Sequence, residues 1–229
     1  MPRILCALLL TGGLLTGANI GGKVAPDGKT EIALDLPGSQ HLKNAGGSDG
    51  AGLCVFTSIA HSARWQRVEL LENFRDWMKQ YPGGGYPEKV NQKIAQLAKE
   101  RGQAPPRYLQ IEGGRELLEV LRAAVASGRM PSVTYFVSPS GRYRGQRIAH
   151  MVSLVHLDDR YACVLDNNYP GVDQYEWMSI DEFLRSFTGS RAGWAVILLD
   201  PGPPPLPWNF NGTTEAQGHR EEIQRGNEE

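Results

Sequence analysis

A charge excess of either sign is missing from this chain. Its 24 Lys and Arg nearly cancel 25 Asp and Glu, leaving a net charge of -1, so no overall field draws nucleic acid or acidic lipid to it. Cysteine is also scarce. Three in 229 residues give no disulfide framework, and no C-x-x-C or H-x-x-x-H pair is spaced to hold a metal. No internal repeat and no phosphate-binding glycine loop is apparent. Whatever chemistry the chain performs is therefore expected to need neither metal nor cofactor and to act on a substrate that is not polyanionic. With 41% hydrophobic residues there is enough apolar material for one globular core.

The N-terminus has Arg3, then the apolar run ILCALLL, then TGGLLTGA with small residues near Ala18. That order is a secretory signal pattern, and glycine and threonine interrupt the run too often for a comfortable spanning helix. A secreted or periplasmic location is expected in preference to a membrane anchor, with loose envelope association as a further expectation. Cleavage near Ala18 would remove Cys6 and leave Cys54 and Cys163. The expected division is 1–18 as signal peptide, 19–45 as an N-terminal extension, 46–200 as the folded domain, and 201–229 as a Pro-rich, disordered tail.

Within the extension, EIALDL alternates and ends at Pro37, which predicts a short edge strand. From Cys54 to about Lys79 the apolar residues Val55, Ile59, Ala63, Leu70, Phe74, Trp77 and Met78 predict one long amphipathic helix, broken by YPGGGYP. Helices are also predicted from about Glu88 to Arg101 and from Arg115 to Ser127, each followed by a glycine. The period then changes. SVTYFV, HMVSLVHL, YACVLD and WAVILL are β-branched and aromatic runs separated by turn residues, and they predict an antiparallel sheet. SIDEFLRSF, opening on Ser179 as N-cap, predicts a helix among those strands. Helices first and strands second make an α+β fold with a cleft between the halves.

Cys54 stands where a glycine-rich stretch gives way to a helix, an address that lends positive charge to a thiolate. A base is available in the hairpin formed by HMVSLVHL and YACVLDN. Strand alternation puts His150, Val152, Leu154 and His156 on one face and Ala162, Val164 and Asp166 on one face of the return arm. His150 and Asp166 then share the hairpin's open end, where the carboxylate can orient the imidazole and leave its other nitrogen for Cys54. His156, near the turn, and His61, two helical turns beyond Cys54, are too distant to serve it. Cys163 faces the other way and is expected in the core. Arg142, Arg144 and Arg147 belong either to a solvated loop or to a rim that reads acidic substrate groups.

Gly52-Leu53-Cys54 leading into a helix resembles the active-site segment of the papain-like cysteine peptidases. The hairpin is similar too, with the family's histidine on His150 and its asparagine on Asp166. Asn167 is a one-residue alternative, and an aspartate in this role resembles the bacteriocin-leader peptidases. GGYP, residues 84–87, resembles the loop that binds extended substrate backbone, which makes Gly84 and Gly85 substrate-binding by carry-over. The family's oxyanion glutamine falls on Ser48, a shorter donor, so Ser48, the Cys54 N–H, Asn44 and Gln40 stay open for that role.

The resemblance implies a papain-like fold over 46–200 and an exported cysteine peptidase or amidase that acts on peptides or proteins through an acyl-thioenzyme. The alternative is a catalytically weak or inactive protein of the same fold that binds peptides or cell-envelope ligands, a reading favoured by the lost glutamine.

Overall fold

The computed structural model describes residues 18–46, 52–81, 83–169, 171, 174–189 and 191–200. Nearly all of the expected signal segment, Ser48 and the Pro-rich tail lie outside the described residues. Among the described residues no helix is long and apolar enough to cross a membrane.

The fold is α+β, built on a seven-stranded antiparallel sheet ordered β1-β6-β5-β4-β3-β7-β2. The strands are β1 (Asn19–Ile20), β2 (Tyr108–Gly113), β3 (Ser132–Tyr135), β4 (His150–Leu157), β5 (Tyr161–Leu165), β6 (Tyr175–Ser179) and β7 (Gly193–Leu198). Helices α1 (Cys54–Gln66), α2 (Phe74–Met78) and α3 (Pro87–Arg101) come first, α4 (Leu118–Ala126) lies between β2 and β3, and α5 (Ile180–Thr188) follows β6. Apolar residues of α1 to α3 pack with Met151, Trp194, Val196 and Leu198 in one core. Leu118 and Leu121 of α4 and Phe183 and Phe187 of α5 pack with Val133, Val152, Leu154 and Ala195 in the other. The third predicted helix therefore joins α5 rather than the first two, and the sheet is covered on both faces.

The predicted long helix is two helices with a corner between them. Arg67 takes the left-handed conformation (φ 60°) and closes α1, and Val68 N–H returns to Ala63 O at 2.8 Å. The hydrophobic spacing runs through this corner because both arms bury the same side, so periodicity alone does not reveal the break. EIALDL does not form the expected strand. Only Glu31 makes an isolated bridge, to Val24, while Leu34 and Leu36 are buried. A bulge in β4 between Leu154 and His156 explains part of this, because the carbonyl of Val155, inside the bulge, accepts Leu34 N–H at 2.9 Å. The bulge also moves His156 opposite Cys163, so His156 leaves the face it was expected to share with His150. Before the bulge the register is as alternation predicts: Leu154 pairs with Val164 and Ser153 with Leu165.

The sequence reading missed β2, which pairs along all six residues with β7 at the sheet edge. The helix predicted from SIDEFLRSF is present with its N-cap. Ser179 and Glu182 form a reciprocal capping box.

Candidate active site

Cys54 is the first residue of α1, a 13-residue helix whose N-cap, Leu53, offers no side-chain hydrogen bond and whose first turn has no acidic residue. The positive end of the helix is thus left to the thiol. The helix itself is held close to the sheet by small polar side chains. Ser58 Oγ donates to Met151 O (3.0 Å), Ser62 Oγ to Met130 O (2.7 Å), and His61 meets Ser153 Oγ at 3.1 Å. These contacts satisfy polar groups that would otherwise be costly to bury. They also fix the height of Cys54 relative to the start of β4.

His150 opens β4. Its Nε2 lies 2.9 Å from Asp166 Oδ1, and the ring is also hydrogen-bonded to the Cys54 thiol, which leaves Nδ1 to serve the sulfur. The three side chains are withdrawn from solvent, with residue exposures of 9% for Cys54, 6% for His150 and 1% for Asp166. Burial opposes charge on each of them, yet their mutual contacts outweigh it. For Cys54, desolvation raises the pKa, but the hydrogen bond and charge of His150, with backbone N–H groups of Met151 and Val55, bring the thiol below its ordinary value. For His150, desolvation acts downward, and Asp166 and Cys54 together push the imidazole up to about 9. Asp166 is held below the usual carboxylate range: burial raises it, and His150, Asn168 N–H and Tyr143 outweigh that. The arrangement favours a thiolate facing an imidazolium.

Asp166 and Asn167 separate where the chain leaves β5 and turns, with Tyr169 N–H returning to Asp166 O at 3.1 Å. Asn167 Nδ2 donates to Cys54 O (3.3 Å), Ser58 Oγ (2.9 Å) and Met151 O (2.9 Å), which ties α1 to β4 and leaves the orientation of His150 to Asp166.

Arg142 is neither a solvated loop residue nor a rim cation. Its side chain is 2% exposed and its Nη1 lies 3.2 Å from Asp166 Oδ2, which also accepts from Tyr143 OH at 2.8 Å. Sequence reasoning missed both partners. Arg142 and Tyr143 sit in a glycine-rich connection that reads as solvent-facing, and no local signal shows that it folds back over the carboxylate.

The glycine loop comes up against the start of α1. A Cβ on Gly85 would lie 2.5–2.8 Å from the side-chain atoms of Val55, the residue after Cys54. Gly84 has φ 36°, and the Lys89 ammonium donates to the carbonyls of Gly83, Gly84 (3.0 Å) and Tyr81 (3.4 Å). Of the open oxyanion choices, Ser48 lies outside the described residues. Gln40 lines a separate cavity with Arg64, Arg67 and Glu72. Asn44 packs against Gly52, two residues before Cys54, where a Cβ would come within 2.9 Å of its Nδ2. Cys163 is fully buried, and desolvation, the largest influence on its thiol, holds it well above the ordinary value. His61 is buried and neutral, with Leu42 N–H donating to Nε2 at 2.7 Å.

No family model matches the chain, and no curated protein matches it. Among solved structures it is similar to that of a putative C39-like peptidase from Bacillus anthracis, at 16% identity and a TM-score of 0.44, over 75% of this chain and 98% of that one.

Proposed function

We propose that this chain is an exported cysteine peptidase or amidase of the papain-like kind, cleaving a peptide or amide bond through an acyl-thioenzyme. The observation that carries the reading is the position of His150, hydrogen-bonded on one side to a thiol at a helix N-terminus and on the other to a buried carboxylate. A scaffold has no use for that order of groups, whereas nucleophilic catalysis needs it. The N-terminal signal pattern supports export, and the absence of a metal-type Cys and His spacing leaves the thiol as the nucleophile of choice.

In the proposed reaction the Cys54 thiolate attacks the acyl carbon and the carbonyl electron pair moves onto oxygen. Collapse of the tetrahedral intermediate breaks the C–N bond, and His150 gives its proton to the departing amine. Neutral His150 then takes a proton from water as the water oxygen attacks the thioester. Collapse of that second intermediate expels Cys54 as thiolate and leaves the imidazolium, the starting state. Asp166 keeps Nδ1 directed at the sulfur throughout. We assign the oxyanion to the Cys54 N–H and the Asn44 amide, which lies against Gly52 two residues before the thiol, and the backbone of Gly84 and Gly85, without side chains, suits an extended peptide.

The test is alkylation. Limiting iodoacetamide at about pH 5.5, where an ordinary thiol is almost wholly protonated, should label Cys54 and spare Cys163, and His150→Ala should lower the Cys54 rate by about 10-fold or more. Equal labelling of the two cysteines, or no dependence on His150, overturns the proposal. Acid-range labelling without turnover of any peptide in a mixed library would instead indicate the peptide-binding alternative.

A further inference from the structure

The catalytic cycle proposed above contains a stretch in which His150 has lost its proton. During that stretch Asp166, whose side chain is 0% exposed, loses the cation it faces. A carboxylate buried without a cation normally takes up a proton and becomes a poor acceptor. Arg142 supplies what is missing. A guanidinium stays charged at any working pH, and at 2% exposure next to a fully buried partner it is little screened.

We propose that the 138–143 loop is a charge clamp on the triad carboxylate, with Arg142 and Tyr143 as positioning residues that keep Asp166 ionised and aimed at His150 whichever proton state the imidazole is in. This rests on the peptidase reading.

The clamp closes the carboxylate completely. Oδ2 takes Arg142 Nη1 and Tyr143 OH, and Oδ1 takes Asn168 N–H at 2.9 Å beside His150 Nε2. The guanidinium has fastenings independent of His150. Nη2 donates to Tyr175 O at 3.2 Å and the Tyr169 ring centroid lies 4.5 Å away, while Tyr169 OH donates to the backbone carbonyl of Arg142 at 3.0 Å and holds the main chain there.

The other end of the loop is pinned by a second buried carboxylate, Glu176 of β6. Glu176 accepts from Ser138 Oγ (2.6 Å), Ser140 N–H (3.0 Å) and Tyr135 OH, and Arg142 N–H in turn donates to Ser138 Oγ at 3.2 Å. The loop is thus stretched between two acids in the sheet, which explains why an arginine in a glycine-rich connection is buried.

Among the described residues, the titratable groups around Asp166 and Arg142 come from every packed element. They are Cys54 from α1, His150 from β4, Cys163 from β5, Glu176 and Tyr175 from β6, Tyr135 from β3, and Tyr143 and Tyr169 from the connections. Within that set only Arg142 and protonated His150 carry positive charge. Removing Arg142 therefore raises the proton affinity of both members of the thiol–imidazole pair, and removing the Tyr143 hydroxyl acts in the same direction more weakly.

The experiment measures the iodoacetamide rate at Cys54 against pH for the full chain and for Arg142→Met, Arg142→Lys and Tyr143→Phe, with a thermal midpoint for each. Arg142→Met should move both limbs of the profile to higher pH by about one unit. Tyr143→Phe should move them by about half as much, and Arg142→Lys should restore most of the shift. A residue that only supports the fold would lower the midpoint and leave the profile in place. Should Arg142→Met fail to fold, Tyr143→Phe, which loses a single oxygen, decides the matter. Profiles that superimpose on the wild type overturn the clamp. A wild-type chain with no acid-range reactivity at Cys54 overturns the peptidase reading instead, so the two failures are distinct.

Discussion

Asn44 illustrates how one side chain's role can follow from the polarity of its hydrogen bonds. Asp166 can only accept, so Tyr143 must donate to it. Tyr143 oxygen is then left to accept from Asn168 Nδ2 at 3.1 Å, and Asn168 Oδ1 to accept from Asn44 Nδ2 at 2.9 Å. Each link points toward the carboxylate, and the chain of bonds fixes which end of the Asn44 amide lies against Gly52. One N–H of Asn44 is committed to Asn168, and among the described residues the other has no hydrogen-bond partner, which is the basis for the oxyanion role proposed for it. This assignment can be tested without knowing the natural substrate. Acylation of Cys54 by p-nitrophenyl acetate passes through an oxyanion, and alkylation by iodoacetamide does not. Asn44→Ala and the isosteric Asn44→Asp should slow acylation by about 10-fold to 100-fold, within the range for loss of such a donor, while alkylation changes by less than about twofold. Equal slowing of both reactions would assign Asn44 to the support of the thiolate and remove it from the oxyanion site.

At the scale of elements, the start of α1 and the glycine loop before α3 are packed so closely that neither can be altered alone. Gly85 is not among the residues with positive φ; it is glycine because Val55 occupies the place of a side chain. Gly85→Ala should therefore destabilise the protein by about 1–3 kcal/mol through overpacking, and adding Val55→Ala should recover most of that loss. A thermal melt of the single and double variants checks this, and a double variant no more stable than Gly85→Ala would contradict it. The same pair bears on substrate binding. If the loop backbone holds an extended peptide, the repacked double variant should remain poor in peptide turnover while its Cys54 alkylation returns toward wild type.

Over the whole molecule, His61 couples stability to pH. It lies fully buried between α1 and β4, and burial, reinforced by the charges of His41 and Arg64, holds its pKa at about 3, far below the ordinary 6.5. Its Nε2 accepts Leu42 N–H and its Nδ1 faces Ser153 Oγ, so the neutral ring fits the site and the charged one does not. The folded pKa is the lower one, so this contribution is complete above about pH 6.5 and is lost as pH falls toward 3. It should cost about 1.4 kcal/mol of stability per pH unit in that window. His61→Gln keeps an acceptor and a donor without a titrating group, and its denaturation midpoint should fall less between about pH 7 and pH 5 than that of the wild type. Parallel pH dependence of the two proteins would show that His61 titrates alike in the folded and unfolded chain, and would overturn the depressed folded pKa.

What the sequence could determine by itself was whatever depends on neighbours along the chain. Strand alternation places His150 and Asp166 at one end of a hairpin, because a side-chain period of two fixes which residues share a face, whereas the choice between Asp166 and Asn167 waited for the turn that follows β5. The capping of α5 by Ser179 is legible for the same reason, since Ser179 and Glu182 are three residues apart. What depends on distant segments was decided only in three dimensions. The corner at Arg67 keeps the hydrophobic period on both of its arms. The bulge at Val155, which turns His156 away from His150, is tied to a hydrogen bond with Leu34 from the far N-terminal segment. The burial of Arg142 requires a sheet already assembled, because Asp166, which pairs with its guanidinium, stands at the end of β5, and Glu176 of β6 holds Ser138 and Ser140 of its loop. A charged residue in a glycine-rich loop belongs in water by its own solvation energy, and the Asp166 carboxylate, fixed at the end of β5, reverses that preference.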